Sequence, residues 1–316
     1  MPTLPSAAPA TSEAAFAEAV RSGLTLPQKQ LDPAFFYDAL GSALFDAITR
    51  LPEYTITRAE LALLEAHGGE IVATVGEPLE MIELGPGNGE KLSALARQAV
   101  SPKVHLIDIS AAALETAGAE IERSCGIRPS LFEGSFLEGL AAFGPDARQR
   151  LVLFLGSNIG NFSSAQAGAF LREVHAALEP GNAFLLGADL VKPEPALLAA
   201  YDDPLGVTAA FNKNILARIN RQLGANFDLF AFDHRALWNA PASRIEMHLV
   251  SLVAQTVSIP SLEREIAFAA GETIWTESCH KYTASALRDL VEGAGFTHRR
   301  TWIEDERQFA EMLFTA

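Results

Sequence analysis

Apolar residues recur along this chain at two spacings, and the change from one to the other predicts its organisation. Helical spacing occurs early, in AAFAEAVRSGL (14–24), SALFDAITRL (42–51) and RAELALLEAHGGEIVATV (58–75). Short apolar runs then alternate with helical segments; the runs are MIELG (81–85), VHLIDIS (104–110), PSLFEGSF (129–136), LVLFLGSNIGNF (151–162) and AFLLGADLV (183–191). This alternation predicts βαβ units and an α/β domain, with helices on both faces of a parallel sheet.

The alternation stops after residue 191. Residues 192–240 have mainly helical patterns, and SRIEMHLVSLVAQTVSIP (243–260) and IAFAAGETIWTES (266–278) each predict one long strand. A helix over YTASALRDLVEGAG (282–295) and a last strand over HRRTWIEDE (298–306) complete the pattern. We therefore expect a large insertion that pairs with the N-terminal helices to form a second domain.

Composition and charge limit the classes of partner. Apolar residues make up 49% and charged residues 20% of the chain, as in ordinary globular proteins. The net charge of −15 disfavours phosphate backbones and anionic lipid, so we expect no nucleic acid and no membrane partner. The two cysteines, Cys125 and Cys279, form no metal-binding pair, and the N-terminus lacks a secretory pattern. We expect a cytoplasmic protein without a bound metal.

A glycine loop carries the first chemical signal. ELGPGNGEK (83–91) follows a predicted strand and opens a predicted helix, so Gly85, Gly87 and Gly89 allow a sharp turn beside a ligand. Asp108 ends the next strand, where a carboxylate can accept both hydroxyls of a ribose. The G-x-G-x-G spacing differs from the dinucleotide pattern, and the preceding Glu83 suits the cationic S-adenosylmethionine better than a pyrophosphate. A nicotinamide oxidoreductase, a non-catalytic cofactor-binding protein and a plain glycine-rich turn remain alternatives.

Segments along almost the whole chain resemble the histidine-specific methyltransferases of ergothioneine biosynthesis. They are FFYDALGSALFDAITRLPEY (35–54), IELGPGNGEK (82–91), FLGSNIGNF (154–162), LLGADLVK (185–192), AYDDPLGVTAAFNKNIL (200–216), RIEM (244–247) and FAAGETIWTES (268–278). The stretches YDD-x-x-GVTAAFN and GE-x-x-x-TE are more specific than any glycine loop. The resemblance implies a Rossmann-like class I methyltransferase fold and the conversion of L-histidine to Nα,Nα,Nα-trimethyl-L-histidine (hercynine), with S-adenosylmethionine as methyl donor.

The resemblance also implies domains and site residues. We expect a disordered tail over 1–14, an S-adenosylmethionine-binding domain over 58–191 plus 282–316, and a substrate-binding domain over 15–57 plus 192–281. The implied cofactor contacts are Tyr37, Gly85, Gly87, Lys91, Asp108, Ser135 and Phe136. The implied substrate contacts are Tyr54, Asn161, Tyr201, Glu277 and Cys279, with Asn161 and Tyr37 as catalytic residues. We expect a monomer that acts on a small amino acid.

The chemistry of these residues suits the implied reaction. Methyl transfer from a sulfonium is an in-line displacement, which needs an amine placed behind the methyl carbon. Glu277 can accept the imidazole N–H, and Asn161 can bind the substrate carboxylate and amine. The chain departs from the family pattern at Ser135, where the family commonly has aspartate, and at Cys279, where it commonly has serine. Because a thiol is a weak hydrogen-bond donor, another amino acid or a histidine analogue remains an alternative acceptor.

Overall fold

The computed structural model describes residues 13–144 and 147–316. Its helices are α1 (Glu13–Leu24), α2 (Ala39–Thr49), α3 (Ile56–Val75), α4 (Glu90–Ala96), α5 (Ala111–Cys125), α6 (Phe136–Ala142), α7 (Ser164–Ala176), α8 (Glu194–Ala199), α9 (Val207–Leu223) and α10 (Ala284–Glu292). Its strands are β1 (Lys29–Gln30), β2 (Leu79–Leu84), β3 (Lys103–Asp108), β4 (Ser130–Glu133), β5 (Gln149–Phe154), β6 (Ala183–Asp189), β7 (Phe232–Asn239), β8 (Arg244–Ser251), β9 (Gln255–Ile259), β10 (Arg264–Phe268), β11 (Thr273–His280), β12 (Thr297–Glu304) and β13 (Phe309–Thr315).

The described chain forms two compact units. The first unit contains Thr55–Lys192 and His280–Ala316, and the second contains residues 13–54 and Pro193–Cys279. The tail predicted over 1–14 lies outside the described residues except for its last two, which begin α1. Within the described part of the chain, no helix combines the length and apolar character needed to cross a bilayer.

A seven-stranded sheet forms the centre of the first unit, in the order β12-β13-β6-β5-β2-β3-β4. Strands β6, β5, β2, β3 and β4 run parallel to one another, and β13 runs antiparallel to both β6 and β12. Every residue of β2 and β6 is buried, because helices cover both faces of the sheet. The predicted α/β class is thus confirmed. The carboxyl ends of the five parallel strands share one edge, where open α/β sheets bind ligands.

A four-stranded sheet forms the centre of the second unit, in the order β1-β11-β8-β7, and β9 pairs with β10 in a separate ribbon. Helix α9 packs against α2 and against β7 and β8. The first turn of α9 is capped by Asp203, whose carboxylate accepts hydrogen bonds from the N–H groups of Val207 (3.0 Å) and Thr208 (2.7 Å). This carboxylate therefore stabilises the start of the helix.

Two predicted long strands are wrong, because each is broken by a turn. In 243–260, β8 ends at Ser251, whose hydroxyl donates to the Val253 carbonyl and accepts from the Gln255 side chain, so β9 leaves the sheet. In 266–278, β10 and β11 are separated by a turn in which Gly271 has φ +82° and the Glu272 N–H donates to Ala269. In both turns, polar groups form hydrogen bonds with residues nearby in the chain. The spacing of apolar residues does not predict such hydrogen bonds.

Two further strands of the structure are not predicted as strands. Residues 192–240 are not mainly helical to their end, because Phe232–Asn239 forms β7, with buried and exposed residues alternating over its first six positions. Strand β13 (Phe309–Thr315) follows the strand that we expect to be last, and inserts between β12 and β6. Its sequence, FAEMLFT, contains several good helix formers, so only pairing on both sides makes it a strand.

Candidate active site

The glycine loop crosses the carboxyl end of β2 in left-handed backbone conformations. Gly85, Gly87 and Gly89 have φ values of +76°, +55° and +80°. A Cβ added at Gly89 would lie 2.8 Å from the Ala117 carbonyl oxygen, so α5 approaches the loop too closely for a side chain. At Gly87, no described heavy atom beyond its chain neighbours lies within 4 Å of an added Cβ. Gly87 therefore leaves an open surface on which a ligand can lie.

Asp108, Phe136 and Asn158 border this loop. The Asp108 carboxylate accepts the Ser110 N–H at 2.9 Å, and burial raises its pKa, although the N–H groups of Ser110 and Ile109 oppose this. An added Cβ at Gly85 would lie 3.3 Å from the Asn158 amide nitrogen and 3.6 Å from the Phe136 ring. An acceptor, an aromatic face and an amide thus meet the loop at one strand edge, which suits a nucleoside.

Ser135 has a structural role at the start of α6. Its hydroxyl donates to Glu138 (2.6 Å) and accepts from the Glu138 N–H (3.4 Å), while the Ser135 N–H donates to the same carboxylate (3.1 Å). This is a capping box, and these hydrogen bonds lower the pKa of Glu138. The serine that replaces the family aspartate therefore caps a helix.

Glu83 is a fully buried carboxyl group immediately before the loop. Neither of its oxygens has a hydrogen-bond partner among the described residues. Burial raises its pKa to about 8; Lys91 opposes this rise, and the carboxylates of Glu60 and Asp108 add to it. An unpaired buried carboxyl group is expensive unless a ligand satisfies it. The group therefore fits the ammonium and sulfonium of S-adenosylmethionine.

Lys91 lies on the first turn of α4 with 16% of its side chain exposed. Its Nζ atom is 2.8 Å from Oε2 of Glu60, a residue of α3 that is 0% exposed. Burial lowers the pKa of Lys91, but the charge and hydrogen bond of Glu60, together with the charges of Glu83 and Glu311, outweigh burial and raise it. Lys91 is therefore a permanent cation beside the glycine loop.

Asn161 ends a single 3-10 turn (Asn158–Asn161) that follows β5. Ser157 starts this turn with φ +61°, and its hydroxyl accepts the Asp189 N–H at 3.0 Å. Asn161 itself is exposed. The turn therefore presents its amide at the same edge of the sheet as the glycine loop.

The second unit brings the three predicted tyrosines into one group of aromatic rings. The ring centroid of Tyr37 lies 5.6 Å from that of Phe45 and 5.8 Å from that of Phe211. The centroids of Phe45 and Tyr54 are 6.2 Å apart, and those of Tyr54 and Tyr201 are 6.5 Å apart. Tyr54 and Tyr201 are each 7% exposed, whereas Tyr37 is 37% exposed. Such a group offers ring faces to a methylated ammonium. Phe45 and Phe211 are members that our sequence analysis does not name.

Trp275, Glu277 and Cys279 occupy every second position of β11, so their side chains share one face of the strand. The Trp275 indole N–H donates to the Glu277 carbonyl at 2.8 Å, and the guanidinium of Arg244 lies 4.5 Å from the Trp275 ring. Cys279 is 4% exposed. The local contacts thus fix the backbone of the residue that we expect to bind the imidazole.

Comparisons with known proteins agree with this geometry. The family described as "Histidine-specific methyltransferase, SAM-dependent" matches residues 16–316. The chain belongs to this family. A histidine N-alpha-methyltransferase of Mycolicibacterium smegmatis is 44% identical over 300 residues, which cover 93% of this chain and 92% of that relative. Ergothioneine biosynthesis protein 1 of Schizosaccharomyces pombe is 28% identical, over 86% of this chain and 37% of its own length.

A solved structure shows a similar fold. The crystal structure of the PH0226 protein from Pyrococcus horikoshii OT3 has a TM-score of 0.50 and 12% identity, and the match covers 88% of this chain and 99% of that one. The sheet order of the first unit is that of the Rossmann-like class I methyltransferases, as the resemblance implies. As a member of its family, this methyltransferase uses S-adenosylmethionine as the methyl donor.

The predicted site residues of this methyltransferase divide between the units. The first unit carries Gly85, Gly87, Lys91, Asp108, Ser135, Phe136 and Asn161, and the second carries Tyr37, Tyr54, Tyr201, Glu277 and Cys279. Asn158 and Glu60 also belong to the candidate site of the first unit, and the sequence pattern does not predict them. Asn158 lies inside the matched FLGSNIGNF segment, which is the one signal for it, whereas nothing in the pattern around Glu60 marks a buried acid.

Proposed function

We propose that this protein is an S-adenosylmethionine-dependent Nα-methyltransferase that converts L-histidine to hercynine in ergothioneine biosynthesis. The match of residues 16–316 to the histidine-specific family carries this proposal. The relatives named histidine N-alpha-methyltransferase and ergothioneine biosynthesis protein 1 support it, as does the group of tyrosine rings in the second unit.

The residues of the first unit hold the methyl donor in this proposal. Asp108 accepts the ribose hydroxyls, Phe136 lies against the adenine, and Gly87 allows the methionine part to pass close to the backbone. Glu83 faces the ammonium group and Lys91 the carboxylate, so each end of the amino acid meets an opposite charge. S-adenosylmethionine supplies an electrophilic methyl group attached to a sulfonium.

The remaining residues hold and orient the acceptor. Asn161 binds the α-amino and carboxylate groups, and Glu277 accepts the imidazole N–H. Tyr54 and Tyr201 offer their ring faces and hydroxyls to the mono- and dimethylated amine, which keeps each intermediate in place for the next transfer. Tyr37, the most exposed of the three tyrosines, orients the amine in its catalytic role. In each transfer the amine loses one proton, forms the N–C bond, and leaves the donor sulfur with the electron pair of the broken C–S bond.

A small amino acid is the only partner in this proposal. The protein acts as a monomer, and its net charge of −15 disfavours nucleic acid. The proposed compartment is the cytoplasm, where cells keep both histidine and S-adenosylmethionine.

Mass spectrometry of a reaction with purified protein, S-adenosylmethionine and L-histidine tests the proposal. We expect species with one, two and three added methyl groups, and hercynine at the end of the reaction. Glu277→Gln should raise KM for histidine, whereas the control Glu265→Gln, at an exposed position of β10, should not. Hydride transfer from a nicotinamide, binding of S-adenosylmethionine without turnover, or no methylation at all would contradict the proposal.

Titration calorimetry in the presence of S-adenosylhomocysteine tests the acceptor separately. The buried thiol of Cys279 motivates this test, because it replaces a stronger hydroxyl donor. Heat with L-histidine supports the proposed acceptor. Heat only with another amino acid or a histidine analogue keeps the reaction and replaces the substrate. Cys279→Ser should bind histidine at least as tightly as the natural chain.

A further inference from the structure

Three buried carboxyl groups surround one lysine in the first unit. Glu60 on α3, Glu83 on β2 and Glu311 on β13 are each 0% exposed, and Lys91 on α4 is the cation that faces them. Asp108 on β3 adds a further negative charge near Glu83. Burying one cation among several anions requires that some of the carboxyl groups be neutral.

Glu60 and Glu311 approach each other over Gly187 of β6. A Cβ added at Gly187 would lie 2.1 Å from Oε1 of Glu60 and 2.9 Å from Oε1 of Glu311. The two oxygens therefore lie within about 5 Å of each other, and two ionised carboxylates at such a separation repel strongly when buried. Glycine at this strand position leaves the space that both acids occupy.

The partners of the two acids decide which one carries the proton. Glu60 accepts the Gly156 N–H at 2.7 Å and pairs with Lys91 Nζ at 2.8 Å, so two donors contact its carboxyl group. No described donor reaches either oxygen of Glu311. Burial, followed by the charge of Glu60, raises the pKa of Glu311 well above the usual range, so Glu311 carries a proton.

Glu60 also connects two parts of the candidate cofactor site. Lys91 follows the glycine loop, and Gly156 lies in the loop that leads from β5 to Asn158 and Asn161. After Glu60, the carboxyl group that contributes most to the raised pKa of Lys91 is Glu83. A Lys91–Glu83 pair would remove both the acceptor for an ammonium and the donor for a carboxylate.

We propose that Glu60, with Glu311 beside it, is a positioning residue that keeps Lys91 away from Glu83, so that both remain available for the amino-acid end of the methyl donor. The proposal rests on the proposed function, since it assumes a donor with an α-amino-acid group. It assigns roles to two residues, Glu60 and Glu311, that lie outside the glycine loop.

Binding of two ligands to the full-length chain tests the proposal. S-adenosylhomocysteine carries the amino-acid end, whereas 5′-methylthioadenosine has the same nucleoside and thioether without it. In Glu60→Gln, Kd for S-adenosylhomocysteine should rise about tenfold or more, because charge-assisted contacts at both ends are lost. Kd for methylthioadenosine should stay within about twofold. A variant damaged in its fold would weaken both ligands equally.

Substitutions of Glu311 provide the matched comparison. Glu311→Gln keeps a neutral donor of the same shape, and should bind S-adenosylhomocysteine within about twofold of the natural chain. Glu311→Leu removes the donor and should lose affinity for S-adenosylhomocysteine but not for methylthioadenosine.

Unchanged or tighter S-adenosylhomocysteine binding in Glu60→Gln would overturn the positioning role. An equal loss for both ligands, or a loss in Glu311→Gln as large as in Glu60→Gln, would also overturn it. A natural chain that binds neither ligand would instead refute the proposed function, so the two failures are distinguishable.

Discussion

Alanine at Gly87 and at Gly89 should have different consequences, although the two glycines are two residues apart in one loop. Both have positive φ, +55° and +80°, so alanine at either position adds left-handed strain of about 1–2 kcal/mol. At Gly89 the added Cβ would also lie 2.8 Å and 2.9 Å from backbone atoms of Ala117. A backbone contact cannot be relieved by a rotamer change, so α5 must shift.

The steric clash at Gly89→Ala should cost about as much free energy as the insertion of an extra methyl group into a packed core, about 1–3 kcal/mol. Gly89→Ala should therefore be less stable than Gly87→Ala by about this amount, which is several degrees in the midpoint of thermal unfolding. Gly87→Ala places its Cβ where no described atom lies within 4 Å, which is the surface that we assign to the methionine part of the donor. It should lose affinity for S-adenosylhomocysteine by about tenfold or more while it stays folded.

Thermal unfolding of the ligand-free variants and calorimetric titration with S-adenosylhomocysteine measure the two effects separately. The expected pattern is a stability loss that is larger in Gly89→Ala and a binding loss, in a well-folded protein, in Gly87→Ala. Equal stability of the two variants would refute the argument from α5. Full affinity in Gly87→Ala would show that the ligand does not approach the loop at this glycine.

Three further predictions concern stability. Burial raises the pKa of Glu83 to about 8, so the folded ligand-free protein holds a proton there that the unfolded chain releases. The free energy of unfolding therefore falls as pH rises from about 4.3 toward 8. Denaturation measured across this range should show a smaller fall in Glu83→Gln. Ser135→Ala removes a capping box and should lower the free energy of unfolding by about 1 kcal/mol, measured in urea, and Ser135→Asp should restore most of it. Burial lowers the pKa of His234, whose ring forms hydrogen bonds with the Tyr201 carbonyl and the Asn212 amide (both 2.8 Å). The contribution of this neutral ring to stability is therefore present above the usual histidine pKa and is lost as pH falls below it. The stability difference between the natural chain and His234→Gln should shrink in acid, and a constant difference would contradict this.

Local sequence determined much of this protein. The alternation of buried runs with amphipathic segments predicts the parallel strands and their helices, because each element must bury one face or two. The glycine loop and Asp108 are recognisable because a strand, a turn and a helix adjacent in the chain form one binding edge. Sequence motifs identify three tyrosines, Tyr37, Tyr54 and Tyr201, and the structure places their rings in one group.

Tertiary structure decided what depends on partners distant in the chain. Strand β13 is a strand because β6 and β12 pair with it, although its composition favours a helix. Glu60 and Glu311 lie 251 positions apart, and neither differs in sequence from a surface glutamate. Their burial, their proximity over Gly187 and the pairing of Glu60 with Lys91 arise only when α3, α4 and β13 pack together. The free energy of a charge depends on its surroundings, and those surroundings exist only in the folded protein.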